Sequence, residues 1–136
     1  MKYLLFIFLF VFSCYSSAIN CIKMDNIEWL DQNFDFSFTG RIESKQRDFS
    51  FTKEKYLITV SASNSDGISG EIYIWTPNSS NCGASFELGK EYVIFAKSHR
   101  GKIITYYDSS WVISEKTENL TRAYTEYYRK KTGSQR

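Results

Sequence analysis

Three cysteines and one histidine are the side chains of this 136-residue chain best suited to covalent or metal chemistry, and their positions narrow what they can do. His99, alone in a turn beside Arg100, can build neither a zinc site nor a Ser-His-Asp relay, and Cys14, Cys21 and Cys82 show no metal-ligand spacing. Glu87 and Glu91 fall in turns without a partner base, which reads as solvated surface rather than acid–base catalysis, and there is no Gly-rich phosphate loop. The chain is therefore expected not to be an enzyme and to carry no cofactor. What remains is thiol oxidation. Cys14 sits in an export segment, which leaves Cys21 and Cys82, and in an oxidising compartment an even pair reads as a disulfide. Such a bond closes a loop of about 60 residues and, on the chain-entropy model, stabilises the fold by about 4 kcal/mol.

The export segment is read from Lys2, the apolar run Tyr3 to Phe12, and the small residues Ser16, Ser17 and Ala18, the three parts of a secretory signal peptide. Residues 1–18 are expected to be removed after Ala18, giving a mature domain of residues 19–136 that is secreted, extracellular or periplasmic. Two other readings compete. A transmembrane anchor needs roughly 20 apolar residues, more than this run supplies. Lipid attachment at Cys14 would follow a Val-Phe-Ser approach that loosely resembles a bacterial lipoprotein signal, with Phe12 a poor fit. In a eukaryotic secretory pathway, Asn78-Ser79-Ser80 and Asn119-Leu120-Thr121 match glycosylation acceptors, and Asn78 lies in the more exposed turn.

At 43% hydrophobic and 18% aromatic, the chain can bury the core of one domain, and a single proline with 11 Phe and 10 Tyr is not a disordered composition. Seventeen basic against 15 acidic side chains give a formal net charge of +2. Losing Lys2 with the leader brings the balance close to neutral. Tyr73, Trp75, Tyr92, Tyr106 and Tyr107 could stack bases on a barrel face, but export and near-neutrality argue against nucleic acid, and core packing accounts for most of these rings.

The elements that must position these residues are mostly strands. Residues 21–30 give weak helical spacing, a single turn. Phe34, Phe36, Phe38, Gly40 and Ile42 alternate with polar residues, the period of a strand with one buried face, and Gly40 suggests a bulge or sharp bend. A hairpin loop is expected over Lys45 to Asp48. A second strand covers Phe49, Phe51 and Tyr56 to Val60, irregular at Thr52 to Lys55. The Asn64-Ser65-Asp66-Gly67 turn leads to a third strand, Ile68 to Thr76, stopped by Pro77. Strands at Tyr92 to Lys97 and Lys102 to Tyr107 flank a turn at Ser98 to Gly101. From Ser114 the period changes. Leu120, Tyr124, Tyr127 and Lys131 share one face of an amphipathic helix over residues 115–132, with Glu118–Arg122 and Glu126–Lys130 pairs on its wet side. The pattern is mainly β, and the strand count alone fits either a small closed barrel or a sandwich.

Between Ile72 and Thr105, the run Cys82, Gly83, Phe86, Gly89, Phe95, Ala96 and Gly101 resembles the hallmark stretch of netrin-like modules, the domain type shared by the tissue inhibitors of metalloproteinases. There a half-cystine and Gly, an aromatic and a further Gly lead into a strand ending Phe-Ala and a Gly-bearing hairpin. The resemblance spans roughly Cys21 to Ile113. It implies a five-stranded OB-fold-like closed barrel with a C-terminal amphipathic helix, and a protein partner.

In that family the first mature cysteine, bonded to the Cys-Gly site, chelates the target protease's zinc through its free amine and carbonyl, and the next residue fills the specificity pocket. Those positions correspond to Cys21 and Ile22. The resemblance therefore implies a TIMP-like metalloprotease inhibitor of single-domain form, with no metal of its own. This chain departs from the pattern. Cleavage after Ala18 leaves Ile19 and Asn20 ahead of Cys21, which ties its amine into a peptide bond. Lys23 stands where the family has a second cysteine, whose partner is replaced near Tyr106 and Tyr107. The rival is a non-inhibitory adhesion or structural module of the same fold.

Overall fold

A computed structural model describes residues 25–48, 53–77 and 82–133. The expected signal peptide, Cys14, Cys21, Ile22, and the acceptor Asn78 lie outside these residues.

The chain forms α1 (Ile27–Asn33), β1 (Phe36–Asp48), β2 (Lys53–Ser63), β3 (Glu71–Pro77), β4 (Glu91–His99), β5 (Lys102–Val112), a single 3-10 turn (Glu115–Thr117) and α2 (Glu118–Gly133). The strands close into a barrel in the order β1-β2-β3-β5-β4, with β4 returning to β1. Every pairing is antiparallel except β3 with β5. The fold is therefore the mainly β, five-stranded closed barrel with a C-terminal helix, and the sandwich alternative is excluded.

Several expected boundaries move. Lys45 to Asp48 are not a loop: β1 continues through them, pairing Lys45 with Tyr56 and Asp48 with Lys53. Glu54 and Lys55 lie in regular register, with no irregularity. Past the register shifts at Thr39/Gly40 and Ile42/Ser44 the ladder runs one-to-one from Ser44 with Leu57 to Asp48 with Lys53, although Lys45 to Asp48 are polar on consecutive positions. Gly40 does mark a close approach: a Cβ there would stand 2.5 Å from Ile58 Cγ2 and 3.0 Å from the Thr59 carbonyl oxygen. β3 starts at Glu71 rather than Ile68, whose side chain is buried from the preceding turn. The amino-terminal turn is a helix, capped by the Asn26 side chain, which accepts from the Trp29 amide at 3.1 Å.

Two cores result. Inside the barrel, alternate residues Phe38, Ile42, Tyr56, Ile58, Ile74, Tyr92, Ile94 and Ala96 meet Ala84 and Phe86 from the β3–β4 connection. Phe86 packs edge-on to Tyr56 and Tyr92, with centroids 5.1 and 4.8 Å apart. Outside it, Val93, Phe95 and Trp111 from β4 and β5 pack under Ile27 and Leu30 of α1 and Tyr124 and Tyr128 of α2. One β4 run thus serves both cores, which is why Tyr92 to Ala96 are all buried.

Candidate functional site

The family-like motif is largely a barrel plug. The Ala84 amide donates to Thr76 Oγ1 at 2.7 Å, the Glu87 amide to the Tyr92 hydroxyl at 2.9 Å, and the Gly89 amide to the Ile42 carbonyl at 2.7 Å. Gly89, at φ 80°, takes the left-handed turn into β4 that a side chain would resist. Phe95 faces the outer core, and Gly101 and Arg100 make the tight β4–β5 hairpin with φ of 77° and 51°.

Cys82 itself has a left-handed backbone, φ 58°, and its carbonyl accepts from the Tyr107 amide at 2.9 Å. Tyr107 reaches it through a bulge in β5. Ala96 pairs with Thr105 and Ile94 with Ser110, so Tyr106 to Ser109 oppose Phe95 alone. The Phe95 carbonyl accepts from Thr105 Oγ1 at 2.9 Å and Ser109 Oγ at 3.0 Å, both buried hydroxyls, in place of a ladder amide. Ser109 Oγ also accepts from the Tyr106 amide at 3.2 Å. Because Trp75 pairs with Ile104, the bulge lies just past the level of Pro77, where β3 ends and Lys53 of β2 pairs. Cys82, Tyr107 and the root of the β1–β2 hairpin therefore gather toward one end of the barrel. The hydroxyl-rich Asp108-Ser109-Ser110 run is the signal in the sequence that marks the bulge.

The other single residues fall elsewhere. His99 is exposed at the end of β4, opposite Lys102. Glu87 pairs with Lys90 at 2.6 Å, and Glu91 accepts from Ser61 Oγ at 2.6 Å, so the two acids serve different partners. Asn119 is exposed in the first turn of α2, but the Thr121 hydroxyl of its acceptor triplet accepts from Trp111 Nε1 at 3.1 Å. No group of three His, Cys, Asp or Glu among the described residues could hold a metal, and no described helix is long and apolar enough to cross a membrane.

A second cluster was not foreseen. Asp31 of α1 accepts from the Tyr127 and Tyr128 hydroxyls, each at 2.8 Å, and from Lys131 Nζ at 2.7 Å. Burial alone would raise the Asp31 carboxyl, but these donors outweigh it and hold it below the ordinary value of 3.8. The hydrogen bond to Asp31 pushes Tyr127 up to about 12, and Tyr128 is raised first by burial. Nearby, the buried Tyr124 hydroxyl shares a 2.9 Å hydrogen bond with Ser37 Oγ and accepts from Asn64 Nδ2 at 2.6 Å. The helix ion pairs divide: Glu118–Arg122 forms at 2.8 Å, while Glu126–Lys130 does not. Every polar group of the Asp31 cluster is satisfied by another, which makes it a clasp between α1 and α2 rather than a reactive centre.

The rings expected to pack in the core split. Tyr92 is buried, but Tyr73 and Tyr107 are exposed and Trp75 and Tyr106 half-buried on the outer surface. Lys55 Nζ stands 4.1 Å from the Tyr73 centroid and 5.3 Å from that of Trp75, and Lys102 Nζ is 5.3 Å from Trp75.

The chain matches no protein-family model and no curated protein sequence.

Proposed function

We propose that this chain is a secreted protein-binding module of the tissue-inhibitor type, acting on zinc metalloendopeptidases through Cys21 and Ile22. The observation that carries the reading is the junction of Cys82 with Tyr107. A Cys21–Cys82 disulfide would anchor the start of the mature domain against the β5 bulge, at the position where the resemblance expects a second cystine. Residues bonded to Cys82 would start from the barrel end where β3 stops and Lys53 of β2 pairs with Pro77. Were Cys21 the mature terminus, its amine and carbonyl oxygen could replace water on the target's zinc, and Ile22 would enter the adjoining pocket. Catalysis in the target stops because its zinc loses the water it activates.

Ile19 and Asn20 favour a second reading. With cleavage after Ala18 they precede Cys21, and the module then binds partners as an extracellular adhesion or structural unit without touching zinc. Sequencing the mature amino terminus, together with inhibition assays against a panel of zinc endopeptidases, separates the two. Cys21 at the terminus with inhibition supports the first. Ile19 at the terminus without inhibition supports the second. Inhibition by a chain beginning at Ile19 would refute the blocked-amine argument.

A further inference from the structure

The turn between β2 and β3 is anchored to both cores. On its amino-terminal side, the Asn64 amide donates to the Ser37 carbonyl at 3.0 Å, Asn64 Nδ2 to the Tyr124 hydroxyl at 2.6 Å, and the Ser37 amide to Ser65 Oγ at 2.9 Å. On the other side, Ile68 is buried in the barrel core. Only Asp66 and Gly67 lie between these anchors, and both are exposed.

Asp66 is the sole Asp or Asn of the chain that is followed by Gly. In such a pair the glycine nitrogen can attack the aspartyl side-chain carboxyl carbon, because a five-membered ring results and no Cβ shields the nitrogen. The structure leaves both reactants open. They occupy the tip of the turn, where Gly67 takes φ 80° with nothing within 4 Å of the place a Cβ would fill. The peptide joining the two central residues of a turn stands outside the hydrogen bond that closes it. Among the described residues, neither the Gly67 amide nor the Asp66 carboxylate has a hydrogen bond or ion pair.

Neighbouring candidates lack this freedom. Asn64 has its side chain on Tyr124, and the Ser65 amide that would attack it donates to Ser63 Oγ at 3.1 Å. Asp108 is half-buried in β5 and precedes the buried Ser109.

We propose that Asp66 is a site of spontaneous isomerisation to isoaspartate, which frees this turn from the outer core. The Gly67 nitrogen bonds to Asp66 Cγ, and the carboxyl hydroxyl leaves with the amide proton as water, giving a succinimide. Water then opens the ring at the Asp66 α-carbonyl carbon, so the main chain runs through Cβ and Cγ and the former α-carbonyl becomes a carboxylate. One water leaves and one returns, so no oxidant or co-reactant is needed. The main chain is now one carbon longer between two anchored residues, Ser65 and Ile68. Each hydrogen bond to Ser37 or Tyr124 is weaker than the burial of Ile68, so the added length is taken up at those bonds.

The test holds the purified full chain at body temperature for several weeks, at mildly acidic and mildly alkaline pH, and locates isoaspartate by peptide mapping with electron-transfer dissociation. Support is accumulation at position 66 above every other Asp or Asn, faster at acidic pH because hydroxide leaves from the protonated carboxyl. The yield falls about tenfold or more in Gly67→Ala, where a Cβ hinders the nitrogen, and is lost in Asp66→Glu. In the isomerised fraction, hydrogen exchange at the Ser37 and Asn64 amides speeds up. No isoaspartate at position 66, as much at Asn64 or Asp108, a yield that rises with alkaline pH, or unchanged exchange at those two amides overturns the proposal. Asp66→Glu, which keeps the charge and Gly67, carries the comparison alone if thermal melts show Gly67→Ala unfolded.

Discussion

The Tyr107 amide donates to the Cys82 carbonyl at 2.9 Å, joining the turn before β4 to the bulge of β5 across 25 residues of sequence. Neither residue could reach the other from a regular strand. Phe95 carries the cause: its carbonyl is satisfied by two hydroxyls, which frees Tyr106 to Ser109 from the ladder.

Removing those hydroxyls tests the bulge. Ser109→Ala leaves Thr105 on the Phe95 carbonyl and costs about 1 kcal/mol, whereas Ser109→Ala with Thr105→Val strands a buried acceptor and costs about 2–3 kcal/mol. Denaturant unfolding measures both, and faster hydrogen exchange at the Tyr107 amide reports loss of the junction with Cys82.

If Cys21 and Cys82 are bonded, thiol labelling of the unfolded, unreduced mature chain finds neither reactive. Cys82→Ser then lowers stability by up to about 4 kcal/mol, less any strain the bond relieves. Equal stability of variant and wild type, with both thiols labelled, removes the tether.

Asp31→Asn weakens the clasp between the helices by about 2 kcal/mol, because three donors converge on one carboxylate. Its pH dependence has a defined sign. A carboxyl lowered on folding contributes stability that is fully present above its unfolded value of 3.8 and is lost as pH falls through the lower folded value. Tyr127, raised from 10.0 to about 12, contributes below its unfolded value and loses that contribution as pH rises through about 12. Thermal melts across pH show both limbs in the wild type and flatten in the variant.

Gly40→Ala meets both the Ile58 side chain and the Thr59 backbone, so it costs about 1–3 kcal/mol by overpacking. Gly133→Ala, with open space around the added carbon, is the control. A calorimetric comparison of the two separates crowding from a general loss of glycine.

Alternation made β1 legible, since Phe36, Phe38 and Ile42 share the inward face with Gly40 between them. The continuation through Lys45 to Asp48 was not, because Lys45, Gln46, Arg47 and Asp48 are all polar and carry no alternation, while the ladder with β2 runs on through them. The stripe Leu120, Tyr124 and Tyr127 located α2, yet Tyr128 is buried deeper than Tyr127, because its ring packs in the outer core against Phe95 of β4. Trp75 and Tyr107 read as core rings because an aromatic in a strand is usually buried; the register decides which side it takes.

The residues alone determined a mainly β chain, the inward set of β1 and the amphipathic tail, because each depends on a repeat that neighbouring positions carry. Tertiary structure decided the closure of the barrel, the bulge that brings Tyr107 to Cys82, the Asp31 clasp and the lysine-flanked indole. Each of these is a meeting of side chains or amides far apart in sequence, and no local period encodes such a distance.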